Sequence, residues 1–170
     1  VLVFYLFGFS LTTLLFFILS IFFVIIFFID LKHFIIPNQL TFPLMAIGFF
    51  KTFNPNLNQY FFPNLIDSMI GGVVGYSIIW IIIFAYKKFR KKEGMGLGDA
   101  KLLSAIGFWF GWISIPFILF FSSFIALAYA LPSLLNKSKN MSSSIPYGPY
   151  LVLGCVLYLL LLKQIVLYLN

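Results

Sequence analysis

The chain is poor in charged residues, and above all in acids. Only 9% of its 170 residues are charged, with four acids against eleven lysines and arginines, while 62% are hydrophobic. An ordinary soluble domain is about one quarter charged, so this composition excludes one. It indicates a protein that is embedded in a lipid bilayer.

Cysteine and histidine are nearly absent as well. Cys155 lies in an apolar run, and His33 is the single histidine. These counts exclude a disulfide framework or a thiolate zinc site within the chain, and we predict no metal site.

The formal charge of +7 comes from basic residues that lie between apolar runs. We interpret these residues as determinants of membrane topology rather than as a nucleic-acid binding surface.

Long apolar runs are what the chain has in abundance. They predict six membrane spans, since a helix needs about 20 mostly apolar residues to cross the hydrocarbon. The spans cover residues 4–29, 40–53, 65–86, 100–113, 114–135 and 147–169. We therefore predict an all-α polytopic integral membrane protein with about six transmembrane helices, in which residues 1–170 form one membrane-embedded domain.

The basic residues predict how these spans are oriented, because lysine and arginine near helix ends are retained on the cytoplasmic side. With the first span ending inside, nearly all of them are cytoplasmic: Lys32, Lys87, Lys88, Arg90, Lys91, Lys92, Lys101, Lys137 and Lys139. Lys51 falls on the opposite side. The same orientation brings three polar segments to one face: IDLKHFIIPN, KKEGMGLGDAK and NMSSSIPYGPY.

Three of the four acids belong to these segments, and two of them, Asp30 and Asp99, lie where an apolar helix ends or begins, whereas Glu93 lies in the basic loop. Asp30 ends the apolar run FFVIIFFID, and Asp99 follows the glycine-rich turn GMGLG. Singly, Asp99 is equally explained as a helix cap and Asp30 as a marker of the membrane interface. Together they predict a carboxyl pair that shares one proton, with one member as general base on a water and the other as general acid. Gly94, Gly96 and Gly98 would then allow positive φ and a close approach of substrate to Asp99.

These segments resemble the type IV prepilin peptidases, membrane aspartic proteases of the GxGD class. The resemblance rests on IDLKHFIIPNQLTFP, EGMGLGDAKLL and IPYGPYL, in that order, and covers about residues 4–160. It implies that Asp30 and Asp99 are the catalytic dyad. It also implies a substrate, the basic leader of a prepilin or of a type II secretion pseudopilin, cut next to a glycine at the cytoplasmic face of the bacterial inner membrane.

The chain departs from the pattern of this family in two places. Bacterial members usually carry an amino-terminal segment with paired cysteines, and many methylate the new amino terminus with S-adenosylmethionine. This chain has no such pairs and begins VLVFYLF without methionine, so we expect that the segment is missing. The peptidase step needs no cofactor, and S-adenosylmethionine enters only if methyltransferase activity is retained. The second departure is Asn38, where the family often has an acid.

The remaining residues of the three segments are predicted to form the active-site loops or to act in topology. Pro37 and Pro146 take the chain out of helical geometry, and Gly148 and Pro149 shape the wall of the site. Lys101 is interpreted as a lysine that snorkels to the interface, near enough to tune Asp99.

Two further predictions concern the spans and a different function. Gly71, Gly72 and Gly75 predict close helix packing in the third span. The rival function is a transporter in which Asp30 and Asp99 bind protons or cations. It predicts broken helices near the midplane and inverted repeats, which the sequence does not show. The partners expected for the peptidase are its substrates and the lipid bilayer, without nucleic acid; the sequence leaves the oligomeric state open.

Overall fold

The chain is all-helical over the residues that the structure describes, which confirms the predicted all-α class. A computed structural model describes residues 8–54, 57, 62–90, 96–135 and 146–168. Six α-helices and one 3-10 helix (Lys51–Phe53) occur there: α1 (Leu11–His33), α2 (Asn38–Phe50), α3 (Leu65–Arg90), α4 (Leu97–Phe110), α5 (Ser114–Leu135) and α6 (Gly148–Tyr168).

Three of these helices are long and apolar enough to cross a membrane. The apolar stretches are Leu11–His33 in α1, Leu65–Phe89 in α3 and Ser114–Leu131 in α5, and a shorter one, Gly148–Leu161, lies in α6. The 14 residues of α4 span roughly 21 Å, less than the hydrocarbon thickness of about 30 Å. The protein is therefore an integral membrane protein, and six full crossings remain a prediction.

Helix boundaries differ from the predicted ones where local backbone geometry, rather than apolar content, ends a helix. α1 continues to His33, because the chain turns only at Phe34, which adopts a left-handed conformation with φ of 57°. Asp30 thus lies inside the last turn of α1 and not beyond it. α4 ends at Phe110 rather than residue 113, because Gly111 takes a φ of 77°.

The short helix α4 lies at the centre of the bundle and contacts α2, α3, α5 and α6. Gly71 of α3 and Gly107 of α4 leave no room for a Cβ atom, so the two backbones touch. The Ser104 hydroxyl donates to the carbonyl of Gly72 at 2.8 Å across the same contact. Close packing at the glycines of the third span is therefore confirmed, and it fixes the helix that carries Asp99.

Candidate active site

Asp30 is a buried carboxylate in the last turn of α1, with 4% of its surface exposed. Its Oδ2 accepts a hydrogen bond of 2.9 Å from the backbone N–H of Gly148, the first residue of α6. The Phe34 N–H donates to the carbonyl of Asp30 at 2.9 Å and closes the helix there. Backbone from two separate segments therefore holds this residue in place.

Asp99 lies in the first turn of α4 and is also buried, with 8% exposed. Burial and, next, the charge of Asp30 raise the pKa of Asp99 to about 7, against a lowering hydrogen bond from the Gly96 backbone. The charge of Asp30 therefore acts on Asp99, which indicates that the two acids lie at the same end of the bundle. Their action as a catalytic pair stays a prediction.

Ile36 is the residue at which the three polar segments meet, and the sequence did not identify it. A Cβ atom on Gly98 would lie 2.9 Å from Cβ of Ile36, and one on Gly148 would lie 2.9 Å from its Cδ1. The Cβ on Gly148 would also lie 2.7 Å from Oδ2 of Asp30. Gly98 and Gly148 are therefore needed for space around Ile36 and Asp30.

The predicted positive φ in the glycine-rich turn is wrong for the two glycines that the structure describes. Gly96 has a φ of −84°, and Gly98 lies within the helical first turn of α4. A Cβ on Gly96 would lie 3.8 Å from the backbone N of Gly98 and 3.9 Å from Oδ2 of Asp99, at ordinary van der Waals distance, so a methyl group fits there. Gly94 lies outside the described residues.

Lys101 contacts the start of α2, and its predicted snorkelling to the interface stays a prediction. Its Nζ donates a 2.7 Å hydrogen bond to Oδ1 of Asn38 and lies 5.6 Å from the centre of the Phe42 ring. Asn38 begins α2 and Lys101 lies in α4, so this bond joins two helices beside the site. The position at which the family often has an acid is here a neutral partner of a lysine.

Tyr147 is a second residue that the sequence analysis missed. Its hydroxyl lies 3.1 Å from Oγ of Ser123 in α5, within hydrogen-bond distance. Burial raises the pKa of Tyr147, the bond to Ser123 lowers it, and the charge of Asp99 raises it again. The charge of Asp99 thus acts on this half-buried phenol. In the sequence Tyr147 directly precedes Gly148, whose N–H donates to Asp30.

The prolines of the polar segments lie where helices begin. Pro37 precedes α2 with extended backbone, φ −65° and ψ 140°, and Pro149 is the buried second residue of α6. Pro146 lies two residues before that helix, in non-helical backbone. His33 ends α1 and is exposed. Among the described residues, none of these four side chains forms a hydrogen bond with the carboxyl group of Asp30 or Asp99.

Asp67 lies at the other end of the bundle. It is in the first turn of α3, and its Oδ1 accepts a 3.1 Å hydrogen bond from Nε1 of Trp112, just past the end of α4. Asp99 begins α4, so the helix separates the two acids by roughly 18 Å. Asp67 is therefore not part of the site, and Glu93 lies outside the described residues.

Taken together, these features define an integral membrane protein with a buried two-carboxyl site between the ends of three helices. The model of the type IV leader peptidase family matches residues 17–131, which include Asp30, Ile36 and Asp99. The chain belongs to this family. No solved structure matches it.

Curated relatives carry the same description. The chain is 39% identical over 127 residues to the prepilin leader peptidase/N-methyltransferase of Aeromonas salmonicida strain A449, covering 75% of this chain and 42% of that protein. It is 37% identical over 131 residues to the protein of that name from Escherichia coli K12, covering 77% and 56% respectively. The chain thus spans about half the length of the curated relatives it matches.

Proposed function

We propose that this chain is an aspartic endopeptidase that removes the basic leader from type IV prepilins or from type II secretion pseudopilins. The observation that supports the proposal is that Asp30 and Asp99 are both buried at helix ends, with Ile36 against both Gly98 and Gly148, and that the charge of Asp30 helps to raise the pKa of Asp99. Two carboxyls so placed share one proton, which suits them to activate a water. Membership in the leader peptidase family supports the substrate class.

In this mechanism a water held between the carboxyls attacks the carbonyl carbon of the scissile peptide bond. The ionised carboxylate takes a proton from the water, and the protonated one donates to the developing oxyanion. No covalent acyl-enzyme forms, because both side chains act on protons only. Burial of both carboxyls strengthens their interaction with the charge that develops in the transition state.

The site is proposed to face the cytoplasm of a bacterial inner membrane. Lys32 in the last turn of α1 and the pair Lys87 and Lys88 near the end of α3 lie at the same end of their spans as Asp30. Positive residues at helix ends are retained on the cytoplasmic side. A leader cut there would still carry its own basic residues in the cytoplasm.

The rival transporter function receives no specific support from the described residues. The span-length helices α1, α3 and α5 run without interruption, and Asp30 and Asp99 lie at helix ends. Substrate sites of secondary transporters are typically built from interrupted helices near the midplane. We therefore retain the peptidase alone, and the proposal concerns this step rather than methylation.

Cleavage of a prepilin-like substrate tests the proposal. Membranes containing the parent chain, Asp30→Asn or Asp99→Asn receive a substrate with a basic leader and a glycine before its apolar helix. Asp67→Asn is the matched control, because it removes an acid at the opposite end of the bundle. We expect both site variants to insert but to lose about 100-fold or more in rate, and the control to cut like the parent.

Two other outcomes would count against the dyad. Cleavage by Asp30→Asn or Asp99→Asn at the parental rate would remove the basis of the mechanism. No cleavage by the parent, combined with proton uptake into vesicles that both site variants abolish, would favour the transporter.

A further inference from the structure

The two carboxyls differ in their hydrogen-bond donors, because in the described part of the chain only Asp30 accepts a hydrogen bond from the start of another helix, at Gly148. Gly148 begins a helix of 21 residues, so its N–H is one of the donors that a helix start leaves without an intrahelical partner. The Gly148 N–H gives Asp30 a charge-assisted hydrogen bond at the favourable end of the α6 dipole, which opposes the unfavourable dipole at the C-terminal end of α1, where Asp30 lies. The bond engages Oδ2 of Asp30, which leaves Oδ1 to contact a water.

Tyr147 is the residue that fixes where this donor points. Its carbonyl accepts hydrogen bonds of 3.1 Å from the N–H groups of Tyr150 and Leu151, which form the first turn of α6. Its hydroxyl reaches across to Ser123 in α5 at 3.1 Å. The start of α6 is therefore attached at two places, to α5 through the Tyr147 phenol and to α1 through Asp30.

Asp99 has a different environment. Its carboxyl lies on the first turn of its own helix, and its bond from Gly96 is local to that turn. Burial and the charge of Asp30 nevertheless raise the pKa of Asp99 to about 7. At neutral pH Asp99 is thus suited to carry the proton that the pair shares.

We propose that Tyr147 and Ser123 are a positioning pair that holds the Gly148 N–H on Asp30, so that Asp30 stays ionised as the general base and Asp99 carries the proton. The inference rests on the proposed peptidase function and adds to it the roles of the two carboxyls. Tyr147 and Ser123 act through Gly148 and need not touch the substrate.

The proton transfers balance with these roles. Attack forms a bond between the water oxygen and the carbonyl carbon, moves one water proton to Asp30 and moves the Asp99 proton to the carbonyl oxygen. The resulting gem-diol then collapses, and the bond between carbon and nitrogen breaks. The leaving amine takes the proton from Asp30, and one gem-diol hydroxyl returns a proton to Asp99, so both carboxyls end as they began.

The test compares pH–rate profiles of the parent with Tyr147→Phe, Ser123→Ala and the double variant, in cleavage of the same prepilin-like substrate. Tyr147→Phe removes one hydroxyl and keeps the ring. Tyr150→Phe is the matched control, since Tyr150 is a buried tyrosine of the same helix whose ring contacts Tyr129 with centroids 6.1 Å apart. Melting temperatures in detergent report whether the variants stay folded.

We expect the acidic limb of kcat to move upward by about 0.5 to 1 pH unit in Tyr147→Phe and Ser123→Ala, with KM little changed. The direction follows because a carboxylate that loses its donor is harder to ionise. The double variant should move no further than either single variant, because both remove the same bond. Tyr150→Phe should keep the parental profile.

A parental profile in Tyr147→Phe would overturn the inference, and so would an equal shift in Tyr150→Phe, which would indicate general loosening of α6. A change in KM alone would also overturn it, since that result describes a contact with the substrate. These failures differ from failure of the peptidase proposal. If only the inference fails, the parent still cuts and Asp30→Asn and Asp99→Asn remain inactive. If the peptidase proposal fails, either the parent does not cut or at least one of these two variants cuts at the parental rate.

Discussion

The backbone N–H of Gly148 donates a 2.9 Å hydrogen bond to Oδ2 of Asp30, although 118 residues separate the two along the chain. The contact closes the site from the side of α6, while Ile36 fills the space between Gly98 and Gly148. Three segments that are remote in sequence therefore pack against one another at this point. The glycines of these segments differ in how much space is available for a side chain.

Alanine substitution should rank these glycines by available space. In Gly148→Ala the new methyl would lie 2.7 Å from Oδ2 of Asp30, so the carboxylate must move, and we expect a loss of about 10-fold to 100-fold in kcat. In Gly96→Ala the new methyl would lie at van der Waals distance from the Gly98 N (3.8 Å) and from Oδ2 of Asp99 (3.9 Å), so neither must move, and φ is already −84°; activity should stay within about twofold. Cleavage assays on membranes with matched protein levels measure both.

The opposite ranking would contradict this assignment. An inactive Gly96→Ala would mean that substrate passes closely over Gly96, as the sequence suggested, and that free space in the substrate-free protein is needed for binding.

The bond between Lys101 and Asn38 should contribute to stability rather than to the chemical step. Lys101→Met and Asn38→Ala each remove the 2.7 Å contact that joins α4 to α2, and we expect each to cost about 1 kcal/mol in unfolding free energy. The double variant should cost little more than one single variant. Thermal melting in detergent measures the three costs, and strictly additive costs would show that the two side chains act independently.

Most of the helices could be predicted from the sequence because long apolar runs have few other ways to satisfy their backbone in lipid. The sequence also predicts the pairing of Asp30 with Asp99, since few acids exist and the three motifs are predicted to share one face, and this pairing stays a prediction. The contacts of Tyr147, Ser123 and Ile36 could not. A tyrosine before a glycine, or a serine in an apolar run, has no sequence feature that predicts which residue of another helix it will contact.

The rate of cleavage should fall as pH rises through about 7. One carboxyl of the pair must be protonated to donate to the oxyanion, and the pKa of Asp99 is about 7 because of burial and the nearby charge of Asp30. The value of kcat measured from about pH 5 to about pH 9 should therefore show an alkaline limb near neutrality. Asp67→Asn should retain this limb, and a rate that still increases above pH 8 would contradict the assignment.

Lys51 should make the protein more stable as the pH rises above neutrality. Its side chain is buried, with Nζ 4.5 Å from the centre of the Phe62 ring and 5.8 Å from that of Trp109, and burial lowers the pKa of Lys51 from 10.5 to about 7. Below pH 7 both the folded and the unfolded chain carry the charge, and the folded chain is penalised for burying it. Between about 7 and 10.5 only the unfolded chain binds the proton, so the free energy of unfolding rises with pH.

The rise should amount to roughly 2–3 kcal/mol between pH 7 and pH 9, and Lys51→Met should abolish it and raise the melting temperature at pH 7. Asp99 changes the stability only a little in this range. Its pKa is raised from 3.8 to about 7, so the stability that it contributes is present at low pH and falls as the pH rises through 7, with about 0.4 kcal/mol left to lose above pH 7. Lys32→Met, at an exposed lysine in the last turn of α1, is the matched control and should keep the parental pH dependence. Melting curves in detergent at the two pH values decide the matter: an equal response in Lys51→Met and the parent would mean that the Lys51 ammonium is solvated in the membrane-embedded protein.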